Sequence, residues 1–226
     1  TTHAEKVENW AEKWYNSGDI SKEEMNWVQC CIARPGRAYA NIKTHKHTWP
    51  YSFIVSSKNT AIEKLARWIE YHLKELARRH PAYIQDTRDF LTQIEKLNDE
   101  KGPFDPSKIW LTARDIKNFY PSCSTEMCLK AVEKVLDDRQ IQDQQISKEC
   151  ILEALSITMS SNNCEFLGRH FTQIDGATIG GPESASVTDI FGAIYIDQKI
   201  KEEAMKEGEE WRRYRDDSWS ISTETS

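Results

Sequence analysis

Two short strand-like segments, roughly a hundred residues apart, each carry acid at one end, and nothing else in the chain limits its fold as much. The first runs from Ile109 to Ile116 and holds Asp115; the second runs from Trp211 to Ile221 and holds the adjacent Asp216 and Asp217. Both read as short, half-buried strands. Strands far apart in sequence can be neighbours in one sheet, and pairing these two gathers three negative charges. Charges that close repel by several kcal/mol unless cations intervene. An Asp-Asp doublet is also an ordinary turn element, because aspartate tolerates turn geometry and caps its own backbone. If the acids converge, the donor set suits Mg²⁺, which binds through one or two carboxylates plus substrate phosphates. The chemistry implied is phosphoryl or nucleotidyl transfer.

Charge is distributed unevenly. The whole chain is at −6, which taken alone argues against a polyanion as partner. From Arg34 to Arg79, however, ten basic residues face three acidic ones, a local +7 that leaves −13 for the rest. A basic lobe beside an acidic one attracts polyanions through the basic side. A solvated helix face accounts for part of this, since Glu70 and Glu75 lie among the cations of 64–79. The 226 residues are enough for one large domain or two lobes. No apolar window reaches membrane-spanning length and no signal peptide is evident. Six cysteines form no C-x-x-C pair, so a reduced, intracellular setting is expected and structural zinc is not. His45 and His47 form a potential ligand pair, with nothing nearby to complete a site.

Along the chain, Val7, Trp10, Trp14 and Tyr15 recur at helical spacing, and the tryptophans read as core. Ser21 and Glu24 make a capping box for a second helix. After Pro35-Gly36, extended stretches 37–42 and 51–56 form a hairpin with a basic tip. A long helix from Asn59 or Thr60 to Arg79 follows, then one capped by Asp86 and running to Leu97, then a loop over 98–106. Beyond the Asp115 strand come helices at about 124–137 and 147–160, a small hairpin around Gly168, and a Gly-rich turn ahead of a long helix. This is an α+β pattern.

Two further features lie between the acidic segments. The turn Gln173-x-x-Gly176-x-x-x-Gly180-Gly181-Pro182 either supplies positive φ for its own sake or lets a base or sugar lie against backbone, with Gln173 bonding an edge. Tyr120, five residues after Asp115 on a strand entering a turn, is either a partly buried core ring or a bulky group excluding a ribose 2′-hydroxyl.

DIKNFYPS resembles polymerase motif A, QIDGATIGGPESAS motif B, and YRDD motif C of reverse transcriptases. Upstream, PGRAYANIKTHKHTWPYSFIVSS, preceded by GDISKEE, resembles the fingers of Penelope-like retroelement reverse transcriptases, relatives of telomerase. The resemblance covers nearly the whole chain. It implies a right-hand polymerase: a helical extension over 1–35, fingers over 36–108, and a palm over 109–226 with a helical fingers insertion at about 121–165. A small antiparallel palm sheet would be flanked by helices, with the thumb absent because the chain stops after the catalytic hairpin.

The implied activity is RNA-directed DNA synthesis in the nucleus. The partners are an RNA template, a DNA or RNA primer and dNTPs, with Mg²⁺ or Mn²⁺ as cofactor and no membrane. By resemblance Asp115 and Asp216 would bridge two ions, Asp217 would support them, and the carbonyl of Ile116 would complete one shell. Lys43 and Lys46 would neutralise the triphosphate, and Tyr120 would gate the sugar. Gln173, Gly176 and Gly180 would shape the base-pair and template pocket, while Arg37, Lys64 and Arg67 would contact template backbone. Two departures, together with the acidic balance, favour an alternative, a catalytically weak or domesticated binding or scaffold module. Ser52 stands where the family carries an arginine, and Arg215 stands where a small or aliphatic residue is usual. An RNA-dependent RNA polymerase is a third reading, disfavoured by Tyr120.

Overall fold

The computed structural model describes residues 2–29, 34–44, 47–102, 104–138, 146–203, 205 and 209–223. Lys46 and His45 lie outside them.

Local hydrogen-bond chemistry sets the helix starts. In α1 (His3–Ser17) Thr2 and Glu5 cap each other reciprocally, and in α2 (Lys22–Val28) Ser21 and Glu24 do the same. Asp86 caps α4 (Thr87–Lys101), Ser124 caps α6 (Thr125–Asp137), and Ser147 caps α7 (Lys148–Ser160). The long basic helix, α3 (Glu63–Arg78), begins a turn later than the sequence suggests, with no side-chain cap. Conversely α4 extends to Lys101, into the stretch expected to be loop.

Apart from α4, these helices share one core. The Trp10 and Trp68 rings meet edge to face at 5.0 Å, with Leu65, Ile69 and Leu73 from α3 and Ile151 and Leu155 from α7 around them. Three indoles of this core each find an acceptor: Trp10 Nε1 donates to the Cys150 carbonyl at 3.1 Å, Trp14 Nε1 to Glu153 at 2.8 Å, and Trp68 Nε1 to Glu24 at 2.9 Å. The tryptophans are core, as expected from their spacing. The four described free cysteines are buried, and burial pushes the Cys150 thiol up, keeping it protonated.

Two sheets replace the one expected. The first has the order β2-β1-β4-β5, from β1 (Gly36–Ile42), β2 (Tyr51–Ser56), β4 (Asn163–Phe166) and β5 (Arg169–Thr172). Its β1–β2 and β4–β5 pairs are antiparallel hairpins, but β1 and β4 are parallel, meeting only at Gly36↔Cys164 and Arg37↔Glu165. Leu167 and Gly168 both have positive φ in the β4–β5 loop, the geometry of a two-residue hairpin. The second sheet is antiparallel, with the order β3-β7-β6 from β3 (Ile109–Asp115), β7 (Asp217–Thr223) and β6 (Glu210–Tyr214). The segment from Trp211 to Ile221 is thus a hairpin rather than one strand. Strand β3 is not half-buried either: it is a sheet edge, exposed from Trp110 to Asp115. Residues 82–84 lengthen the other edge, with Arg213 N donating to the Ala82 carbonyl at 2.7 Å and Ile84 N to the Arg213 carbonyl at 3.0 Å.

Packed against α3 and α6 is α8 (Ser184–Gly192), continued by a π turn over Ala193–Asp197 into α9 (Gln198–Glu203). Among the described residues no helix is long and apolar enough to cross a membrane.

Candidate functional site: an acidic turn locked to a buried helix

Asp115 and Asp217 are register partners on adjacent strands. Side chains directly opposite in an antiparallel pair share a face, their Cβ atoms about 5 Å apart. Asp216 lies in the two-residue turn before β7, tied in by Ile116 N donating to its carbonyl oxygen at 2.9 Å. The first acid and the later doublet are therefore on one sheet and meet. Asp217 is the cross-strand partner of Asp115, while Asp216 sits at the tip.

Crowding is visible in the electrostatics. Burial, then the charges of Asp216 and Asp115, raise the Asp217 carboxyl above its ordinary value. Among the described residues no salt bridge reaches any of the three acids, and no group of three or more His, Cys, Asp or Glu forms a ready-made metal cage. Two or three uncompensated carboxylates beside open space fit a hard divalent cation whose shell is completed by water and phosphate. That space is a cavity of about 600 Å³ lined by Ile84, Phe90, Asp115, Tyr214, Asp217 and Trp219.

The doublet's turn is held from behind by a buried ionic chain that the sequence did not announce. Arg213, 2% exposed, donates Nε to Asp197 at 2.9 and 3.0 Å, Nη2 to the Asp189 carbonyl at 2.9 Å and Nη1 to the Arg215 carbonyl at 3.0 Å. Trp211 Nε1 also donates to Asp197, at 2.9 Å. Gly192 makes room for this: a Cβ there would run into the Arg213 guanidinium. Arg215 takes a left-handed backbone, φ 57, which costs a non-glycine residue about 1–2 kcal/mol. Its guanidinium does not lie against the doublet but turns to α8, bonding Asp189 Oδ2 and the Ala185 carbonyl oxygen. The signal available in the sequence was two lone acids, Asp189 and Asp197, inside the apolar run VTDIFGAIYID. Burial raises the Asp189 carboxyl above its ordinary value despite Arg215 and Arg213.

Tyr120 stands not on a strand but in α5 (Phe119–Ser122), a single helical turn. It is half-buried and packed against the core, with Thr188 on α8 near its hydroxyl. Burial raises its hydroxyl pKa while Arg215 lowers it, and Asp189 and Asp216 are also felt there. Its carbonyl accepts from Ala177 N at 3.0 Å, joining the Asp115 segment to the Gly-rich turn.

That turn is close to protein backbone at the glycines singled out. At Gly180, φ 121, a Cβ would stand 2.5 Å from the Val55 carbonyl oxygen of β2, and Val55 N donates to Ile179 O at 2.9 Å. Gly176 is buried against Pro121. Gln173 Nε2 is committed to the carbonyls of Asp175 and Gly176, at 3.0 and 2.9 Å, so its amide braces the turn.

The cations are spread more widely. Lys43 N donates to the Pro50 carbonyl at 2.8 Å, placing Lys43 at the end of the β1–β2 hairpin. Arg67 is paired with Glu63 at 3.0 Å, and Lys64 is half-buried beside it on α3. Arg37 lines a groove of about 960 Å³ with Arg34, Tyr39 and Lys58, where β1 diverges from the β4–β5 hairpin.

No protein-family model and no curated protein matches the chain. Solved structures do. Apo telomerase from Candida tropicalis truncated from its C-terminal domain aligns with a TM-score of 0.62 and 16% identity, over 87% of this chain and 47% of that one. Apo telomerase from Candida tropicalis gives 0.63 and 14%, over 98% and 43%. Telomerase from Candida albicans in complex with a TWJ fragment of telomeric RNA gives 0.61 and 12%, over 95% and 42%. The chain spans less than half the length of these structures. At such identities the likeness carries the architecture alone: this chain has a telomerase-like fold.

Proposed function

We propose that the chain is the fingers and palm of an RNA-directed DNA polymerase of the Penelope-like kind, with the first sheet and α3 in the fingers and the three-stranded sheet in the palm. The observation that carries this reading is the register pairing of Asp115 with Asp217, with Asp216 at the turn between them and β6. The telomerase-like fold supports it. The reaction is attack of a primer 3′-hydroxyl on the α-phosphate of a dNTP: the O3′–Pα bond forms, the bond to pyrophosphate breaks, and the hydroxyl proton leaves with base.

Asp115 and Asp216 would hold Mg²⁺ or Mn²⁺, with Asp217 and the Ile116 carbonyl in support. Such an ion supplies Lewis acidity, lowering the pKa of the hydroxyl and neutralising the triphosphate. The ring of Tyr120, held against the core, would limit the room for a ribose 2′-hydroxyl. Lys43, and Lys46 outside the described residues, would face the triphosphate. Gln173, Gly176 and Gly180 stiffen the wall on which the nascent pair rests. Arg37, Lys64 and Arg67 would carry an RNA template through phosphate contacts, which position without reading sequence.

Primer extension by the full-length natural protein on an RNA template tests the reading. Asp216→Asn should abolish extension while leaving the fold intact. Full activity in that variant refutes it and favours a scaffold module.

A further inference from the structure

Arg215 immediately precedes the acidic doublet, where a loose guanidinium would bind the nearest carboxylates, yet its charge is spent elsewhere. Its side chain, 27% exposed, bonds Asp189 Oδ2 and the Ala185 carbonyl oxygen on α8, the latter at 3.0 Å. Asp189 is 2% exposed, and its other carboxyl oxygen lies 3.5 Å from Arg213 Nη1. At Asp189, Arg215 is the strongest countercharge.

We propose that Asp189 is a positioning residue that sequesters the Arg215 guanidinium on α8, keeping it off Asp115, Asp216 and Asp217 so that those carboxylates stay free for a divalent cation. Arg213 is not displaced by this arrangement, because Asp197 and the Asp189 carbonyl oxygen hold it independently. The proposal rests on the metal reading above and adds to it that an arginine is tolerated beside the doublet only because a buried acid holds it.

Mn²⁺ binding to the 226-residue chain, followed by the EPR signal of free Mn²⁺, tests this in four proteins. Asp189→Asn keeps the shape of the side chain and removes its charge; it should weaken Mn²⁺ binding about tenfold. Adding Arg215→Leu removes the competing guanidinium and should restore affinity to within about twofold of wild type. Arg215→Leu alone should bind as wild type does, and this arm stands even where Asp189→Asn fails to fold. Unchanged binding in Asp189→Asn, equal weakening in the double variant, or a tenfold loss in Arg215→Leu alone each overturns the proposal. A wild type that binds no Mn²⁺ removes the metal reading, and the ¹⁵Nε resonance of Arg215 then decides the rest. A shift and sharpening of that resonance in Asp189→Asn supports the sequestration, and an unchanged resonance overturns it.

Discussion

Glu183, at the start of α8, is a buried acid whose removal should stabilise the protein in a pH-dependent way. It is 4% exposed, and its Oε2 faces Gly181 without a hydrogen-bond partner among the described residues. Burial lifts its carboxyl from 4.5 to about 7; its own N–H and Thr158 oppose the rise, and the charge of Glu70 adds to it. Between those two pH values the unfolded chain has released a proton that the folded chain keeps. Folding takes up that proton, so stability falls as pH rises from about 4.5 to about 7, and the deficit levels off above. A rise of that size corresponds to about 3 kcal/mol. Glu183→Gln has no proton to lose there, and its amide can donate to Thr178 or Ser184 around Gly181. It should match wild type near pH 4.5 and exceed it by up to about 3 kcal/mol at pH 8. Urea unfolding followed by tryptophan fluorescence reads this directly. With a slope of about 3 kcal/mol per molar, the midpoint moves by about 1 M at pH 8. Asp189, whose carboxyl is also raised by burial, titrates in both proteins and drops out of the difference, which reads Glu183 together with its interaction with Glu70. Parallel stability curves for wild type and variant from pH 5 to pH 8 would falsify the reasoning.

Gly192→Ala drives a methyl into the Arg213 guanidinium and should cost about 3–5 kcal/mol, the scale of breaking a buried ion pair, measured as a lower urea midpoint. Trp10→Ala empties the centre of the core and removes the bond to the Cys150 carbonyl. A loss of about 3–5 kcal/mol is expected from the same titration. In the full-length natural protein, Tyr120→Ala should raise ribonucleotide incorporation relative to deoxyribonucleotide in single-turnover primer extension. An unchanged ratio removes the gate assignment from Tyr120.

How far the sequence could be read follows from the range of the interactions involved. Ser21, Asp86, Ser124 and Ser147 mark helix starts correctly because capping is settled within four residues. The β1–β2 hairpin and the turn at Gly168 were legible for the same reason. The parallel contact of β1 with β4 was not: it joins residues far apart through two register pairs and leaves no periodic trace. At the candidate site, Asp115, Asp216 and Asp217 stood out by residue type, and their meeting in one sheet follows from the fold. The Asp197–Arg213–Asp189–Arg215 chain was missed because a lone charge in a sequence is ordinarily taken as solvent-facing, and only tertiary packing pairs these four. Gln173 and Gly176 were expected to meet a nucleic acid, and their nearest neighbours are the chain's own backbone and Pro121.

The most direct measurement is anomalous scattering from a crystal of the chain soaked in Mn²⁺. The account predicts a peak in contact with the carboxyl oxygens of Asp115 and of Asp216 or Asp217, lost in Asp115→Asn crystals. A soak that loads Mn²⁺ only elsewhere, or leaves those oxygens bare at millimolar metal, contradicts it.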